Sequence, residues 1–515
     1  METGDGPRAA EPRGGPPVPR VLRAVEFYSG IGGFHAGLAK TGRPYTVVSA
    51  HDMNEHANAV YAHNFPGVQV DARNVGFLRP AELAAARADL WMLAPPCQPY
   101  SRKGARLQSR DARAESFLKL LDAIAVMSVW EDRWRQQQQQ QQAAGAQESA
   151  AYAPAVEIPE DLAVPDAPPD AEHIAPPRYL IVENVFGFER SDTFTYMDAR
   201  LRAAGYVWQA FETNPLALGV PYSRPRVFVL ARKRDAPASP RWDASLDYTV
   251  VPAARVPALL RGTDEPPVSQ TLAAFLDHPV PSDGEPVVFV AEKDLWAAAK
   301  HFDFVGPQSV RSCCFTKGYG SYARGGGSVV RTDVAPGWED HEREAMRRYN
   351  ELLTQYNAAA VRAGSSSGGG GDAGDDDAGD TLEDSEEVSQ GTMDSPPADD
   401  GPASQDVADA DGAPQMQDPA RPPLYGHRRQ PRTRQNKRKA AAAAKPAARW
   451  WHRLGECPLA PLGLRYFTAR EMARLHGFAD SFEFPASTTT LQRFRLVGNS
   501  LHADVARMLL DILLP

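Results

Sequence analysis

Cysteine is scarce in this sequence: Cys97, Cys313, Cys314 and Cys457 are four among 515 residues. None stands in a CxxC pair, so a disulfide-stapled secreted module is excluded, and neither a structural zinc ribbon nor any other metal site is expected. No run of about 18 apolar residues occurs, which removes a membrane-spanning helix. The first 19 residues are rich in Gly and Pro and lack the apolar core of a secretory leader. Together these absences lead us to expect a soluble, intracellular chain, cytoplasmic with a possible nuclear pool. A core is not lacking. Hydrophobic residues make up 43% of the chain, and at about 100–200 residues per unit the length suits two to three folding units.

The net charge of −9 is unevenly spread. Residues 361–420 hold 16 Asp/Glu against Arg362 alone, and residues 421–449 hold ten Lys/Arg and no acid. Residues 143–177 hold seven acids and no Lys/Arg. Outside these segments the balance turns slightly positive, so the overall acidity says nothing against a nucleic-acid partner. Seven glutamines at 136–142 open an Ala/Pro/acid stretch, and 364–423 is rich in Gly, Ser, Asp and Glu. Neither can bury enough apolar area to offset its ordering entropy. Disorder is expected over 1–20, 136–177 and 360–449. The basic stretch 427–449, with Lys437-Arg438-Lys439, reads as a solvated linker or as a nuclear-import or RNA-contacting arm.

The remainder alternates short apolar runs with helical patterns. Strands are predicted at 21–28, 46–52, 89–94, 179–183, 207–213 and 227–231. Helices are predicted after the first glycine turn to 39, at 55–63 and at 112–130, the last with Phe117, Leu120, Leu121, Ile124 and Met127 on one face. This order implies right-handed crossovers and a doubly wound, mostly parallel α/β sheet, with ligands beyond the carboxyl ends of its strands. The polar motifs fall at those ends. Phe27-Tyr28-Ser29-Gly30-Ile31-Gly32-Gly33 is a glycine-rich turn that lets backbone approach a ligand. Asp52 ends the next strand, where an acid can bond ribose hydroxyls, so a nucleoside-bearing cofactor is indicated. Cys97 lies between Pro95-Pro96 and Pro99 on a stiffened loop, either a small buried hydrophobe or, at this edge, a nucleophile. Glu183-Asn184-Val185 ends another strand, and Arg224 and Arg226 open the next, able to hold an oxygen-rich substrate.

In this order, ending with Gly498-Asn499-Ser500, these motifs resemble the cytosine carbon-5 methyltransferase family over 21–130, 178–232 and 464–513. The resemblance implies a Rossmann-like doubly wound methyltransferase fold with S-adenosylmethionine as cofactor. A catalytic domain over 21–232 and 464–515 would carry a small target-recognition region at 233–463. It implies that Cys97 adds to carbon 6 of cytosine, that Glu183 holds ring nitrogen 3, and that Arg224 and Arg226 orient the base. Cofactor contacts would fall on Phe27, Ser29, Gly30, Ile31, Gly32, Gly33, Asp52, Met53, Asn499 and Ser500, with the adenine near 71–75. The motif Cys314-Phe315-Thr316-Lys317-Gly318-Tyr319-Gly320-Ser321-Tyr322 is similar to the tRNA-acting branch of the family. In that reading Cys314, Lys317, Tyr319, Tyr322 and Arg324 contact RNA, and the target is cytosine 38 in the anticodon loop of the aspartate tRNA. A DNA methyltransferase and a silent nucleic-acid-binding protein are the alternatives. A monomer is expected.

Overall fold

The computed structural model describes residues 20–97, 109, 111, 113–143, 159, 161–167, 174–277, 287–321, 326–332, 338–365 and 454–515. The chain divides into two compact units, Met1–Glu351 with Gly455–Pro515, and Leu352–Leu454. Every described strand lies in the first unit. Among the described residues no helix is long and apolar enough to cross a membrane.

Eight strands form the main sheet: β1 (Leu22–Phe27), β2 (Tyr45–His51), β3 (Gln69–Asp71), β4 (Leu90–Leu93), β5 (Tyr179–Asn184), β6 (Tyr206–Thr213), β7 (Arg226–Lys233) and β8 (Thr249–Val251). Their order is β3-β2-β1-β4-β5-β7-β6-β8. The first five run parallel, β7 runs against both β5 and β6, and β8 is parallel to β6. The predicted doubly wound α/β sheet is present. The short β3 escapes the apolar-run reading, because Gln69-Val70-Asp71 holds one apolar residue.

Helices cover both faces. On one face α3 (Pro80–Ala85), α4 (Glu115–Ala143) and α5 (Asp192–Ala203) pack through Leu83, Phe117, Leu121, Ile124, Met197 and Leu201. On the other, α1 (Gly33–Ala39), α6 (Val256–Arg261) and a C-terminal helix meet through Phe34, Leu38, Leu260, Val505 and Leu509. A Cβ on Gly37 of α1 would lie 2.8 Å from that of Ala506, so glycine lets the first and last helices touch.

The disorder expected from residue 136 does not hold at its start, because α4 runs through all seven glutamines. Glutamine is a good helix former, and a helix already nucleated on a buried face propagates at little cost. Gln136 Nε2 also donates to Asp132 at 3.1 Å. Further along, Leu162, Val164 and Ile174 join the core, and Trp130 Nε1 donates to Pro165 O at 2.8 Å. A helix α8 (Trp338–Ser365), following α7 (Glu292–Ala298), likewise enters the expected 360–449 tract. Residues 366–453 and 1–19 lie outside the described residues.

A second sheet has the order β11-β10-β9, from β9 (Asp303–Val305), β10 (Ser328–Arg331) and β11 (Leu464–Arg465). The chain then closes with α9 (Ala469–Leu475), α10 (Thr490–Asn499) and α11 (Ala503–Leu513). Arg465 and Glu471 form a two-pronged ion pair, 2.8 Å in both contacts, with side chains 1% and 0% exposed. Glu471 also accepts from the backbone of Thr468 and of Asp277, so its charge is well held. Removing one partner of a buried pair strands the other. Glu471→Ala should therefore cost about 3–5 kcal/mol, read from the urea midpoint; a loss below about 1 kcal/mol, the size of a surface pair, would contradict it.

Candidate active site

The end of β1 feeds a turn with three residues in the left-handed region: Tyr28 at φ 55°, Gly30 at 52° and Gly32 at 85°. A Cβ on Gly32 would lie 2.3 Å from the Phe65 ring, so both conformation and space require glycine there. Asp52, just past β2, holds the turn: its Oδ2 accepts from Gly30 N at 2.9 Å and its Oδ1 from Asn54 N at 2.8 Å. Burial pushes its carboxyl upward against those two amides. Among the described residues, Ser29 Oγ is buried with no hydrogen-bond partner and a Cβ on Gly30 would meet nothing within 4 Å. Met53 is exposed, and α10 ends beside the turn with Asn499 exposed and Ser500 Oγ 3.0 Å from where a Gly33 Cβ would stand. An unsatisfied hydroxyl next to open space and a carboxylate suits a polar nucleoside cofactor.

Phe27 requires correction. It is fully buried, stacked on His51 at 5.1 Å and edge-on to Trp91 at 4.9 Å. As the last strand residue its ring packs in the core layer, and the half-buried Tyr28, whose hydroxyl bonds Ser116 Oγ at 2.9 Å, is the more accessible of the two. Ile31 is also buried and can offer a ligand only its backbone.

The catalytic candidates converge from four segments. Asn184 Nδ2 donates to Pro95 O at 3.4 Å, tying the end of β5 to the loop that carries Cys97. Because β7 runs against β5, its first residue lies at the same edge, and Arg226 Nε pairs with Glu183 Oε1 at 3.0 Å. Burial, then the Glu183 charge, push the Cys97 thiol upward; Arg226 and Arg224 oppose them without prevailing. Arg224 is 3% exposed. Its backbone N donates to Asn214 Oδ1 at 3.0 Å, and its Nη1 reaches both Gly498 O and Cys314 Sγ at 3.3 Å.

Cys314 thus joins the catalytic cluster through Arg224. Burial works to raise its thiol pKa, but Arg224, Arg226 and the hydroxyl of Tyr222 outweigh it and the net shift is downward. Tyr222 stacks on Phe315 at 5.2 Å. His476 Nδ1 lies 2.8 Å from Met472 O, which only accepts, so the ring's Nε2 accepts from the Tyr222 hydroxyl at 3.2 Å. A Cβ on Gly498 would lie 2.8 Å from Thr316 O, so the Cys314 loop rests directly on α10.

Of the other expected RNA contacts, Lys317 is exposed, and Tyr322 and Arg324 lie outside the described residues. Tyr319 is corrected: it is 1% exposed, donates to Ser328 O at 2.7 Å and accepts from Phe467 N at 2.9 Å. Its ring fills the space between Phe315, Tyr466 and Phe494 and cannot stack on a base.

The C-5 cytosine-specific DNA methylase family matches residues 22–126 and 402–513, which hold the glycine turn, Cys97 and the Gly498-Asn499-Ser500 end. Over those residues the chain is similar to this family. The chain is 26% identical to a tRNA (cytosine(38)-C(5))-methyltransferase of Rattus norvegicus, over 96% of this chain and 99% of that one. It is 22% identical to a DNA (cytosine-5)-methyltransferase of Dictyostelium discoideum, over 96% and 94%. Its fold matches the crystal structure of a Spodoptera frugiperda DNMT2 mutant with a TM-score of 0.55 at 23% identity, covering 96% of this chain and 100% of that one. It is a cytosine-5 methyltransferase, and the family's methyl donor is S-adenosylmethionine.

Sequence reasoning missed Asn214, His476 and the Gly498 carbonyl as supports of the methylase site. Asn214 follows a strand and could have been read as a cap; Gly498 stands in the Gly498-Asn499-Ser500 motif, but nothing local marks its carbonyl or the His476 ring as partners of Arg224 and Tyr222. Removing the Glu183 charge should lower the Cys97 pKa, since that charge raises it. In Glu183→Gln, alkylation of Cys97 by iodoacetamide at neutral pH should therefore quicken while methyl transfer slows by about 100-fold or more. Slower alkylation would show that the carboxylate does not oppose the thiolate.

Proposed function

We propose that this methylase acts on tRNA, at cytosine 38 of the anticodon loop of the aspartate tRNA, through a covalent adduct on Cys97. The observation that carries the chemistry is the gathering of Cys97, the Glu183–Arg226 pair and Arg224 at one sheet edge beside the cofactor turn. Carbon 5 of cytosine is a poor nucleophile. When the Cys97 sulfur bonds to carbon 6, electron density moves to carbon 5 and the ring becomes enamine-like. Glu183, held by Arg226, faces ring nitrogen 3 and the exocyclic amine and stabilises charge that develops there. Arg226, paired with Glu183, orients the base, and the buried Arg224 holds the edge together. S-adenosylmethionine supplies the methyl group that carbon 5 accepts. Loss of the carbon-5 proton to a base then restores the double bond as the sulfur–carbon bond breaks and Cys97 leaves. The base must leave its stack to reach such an edge.

The tRNA reading is supported by relatives named for that reaction, at 26% and 24% identity across 96% of the chain. The exposed Lys317 offers a phosphate contact. A DNA substrate is the second reading, favoured by the Dictyostelium relative's name. Labelled methyl transfer to total tRNA and to genomic DNA, side by side, separates the two; preference for duplex DNA would overturn the tRNA assignment. Cys97→Ala should abolish transfer and the denaturation-resistant adduct with 5-fluorocytosine RNA while cofactor binding persists. Turnover within about tenfold of the parent would end the covalent mechanism. Lys317→Ala should weaken tRNA binding and reduce its salt slope by about 1; an unchanged slope would remove Lys317 from the interface.

A further inference from the structure

Three titratable side chains lie under the cofactor turn in a closed line. Glu26 of β1 is 1% exposed, Tyr61 of α2 (Glu55–Asn64) 0% and His35 of α1 6%. Glu26 Oε1 accepts from Phe34 N at 3.2 Å, where the turn enters α1. The Tyr61 hydroxyl stands 3.0 Å from Glu26 Oε2 and 2.9 Å from His35 Nδ1. The His35 ring stacks at 3.9 Å on Phe65, the same ring that leaves Gly32 no room for a side chain. The line therefore touches the turn at both ends.

Titratable neighbours facing the trio are Asp52, past the end of β2, and Tyr45, in β2, whose ring meets His35 edge-on. Burial, with a smaller push from Asp52, raises the Glu26 carboxyl to about 8, against hydrogen bonds from Tyr61 and the Phe34 and His35 amides. Burial lowers His35 to about 4, so its ring is neutral near pH 7. A neutral imidazole has one N–H, and a hydroxyl has one proton to give. Two arrangements therefore satisfy the same heavy-atom positions. With Glu26 protonated, the carboxyl donates to Tyr61 and Tyr61 donates to His35 Nδ1. With Glu26 ionised, His35 Nδ1–H donates to Tyr61 and Tyr61 donates to the carboxylate.

We propose that Glu26, Tyr61 and His35 form a proton relay beneath the turn, which ionises when the cationic methyl donor binds and is reprotonated when only the spent thioether remains. The relay makes Glu26 a positioning residue that favours S-adenosylmethionine over S-adenosylhomocysteine, and it rests on the cofactor reading above. The donor carries a sulfonium and an ammonium against one carboxylate, so it stabilises a carboxylate below it; the product lacks the sulfonium. The proton leaves to solvent on binding, and the charge balances.

Calorimetric titration of the full chain with each compound, in buffers of differing ionisation enthalpy, counts the protons released. Near pH 7 the donor should release up to about one proton and the product fewer, with release fading above about pH 9, where Glu26 is already ionised. Glu26→Gln, isosteric with the protonated state, should bind the donor without that release and lose the rise of affinity with pH. Nitrogen-15 shifts of His35 should move from the Nε2–H to the Nδ1–H form on donor binding in the parent but not in Glu26→Gln. Unchanged release in Glu26→Gln, equal release by donor and product, or a fixed His35 tautomer would each overturn the relay. Failure of the parent to bind the donor at any pH would instead overturn the cofactor reading and the relay with it.

Discussion

Arg226 meets Glu183 only because β7 enters the sheet antiparallel to β5. In a wholly parallel sheet the start of that strand would lie at the opposite edge, a strand length from the carboxylate. The reversal brings both guanidiniums to the carboxyl ends of β1, β2, β4 and β5, where the turn, Asp52, Cys97 and Glu183 already stand. Every charge relation of the site descends from it: the paired carboxylate, the opposed shifts on Cys97, and the downward shift on Cys314.

Arg224 is the second point of convergence. Buried, and hydrogen-bonded to Asn214, Gly498 and Cys314, it joins the main sheet, the end of α10 and the Cys314 loop. Tyr222 and His476 brace the same junction from below, and burial with the nearby Arg224 charge holds His476 neutral. The substrate edge and the cofactor edge therefore share a foundation. The two-pronged Arg465–Glu471 pair performs the corresponding task in the smaller sheet, fixing β11 to the start of α9.

Much of this was legible in the chain. Apolar runs ending in Gly30, Asp52, Cys97 and Glu183 place those residues at strand ends whatever the rest of the sequence does, since a strand buried on both faces must read as an apolar run. The spacing of Phe117, Leu121 and Ile124 likewise specifies a buried helix face. Local pattern and local geometry are one thing at these positions. The choice between Phe27 and Tyr28 needed more, because it turns on which pleat face points to the core.

The remaining features belong to the tertiary structure. Tyr319 looks like a stacking ring in a Gly-rich loop, yet Ser328, Phe467 and the rings of Tyr466 and Phe494 enclose it along with Phe315 of its own loop; no local pattern announces neighbours 9 to 175 positions away. The glutamine run is helical because the preceding turns of α4 are anchored in the core. Burial likewise turns Glu26, an ordinary acid by sequence, into a group that titrates near neutrality. The sequence by itself determined which chemical groups stand at the sheet's edge, because strand ends are local. The tertiary structure decided which of them are buried, paired and charged, because desolvation and ion pairing depend on neighbours that only folding supplies.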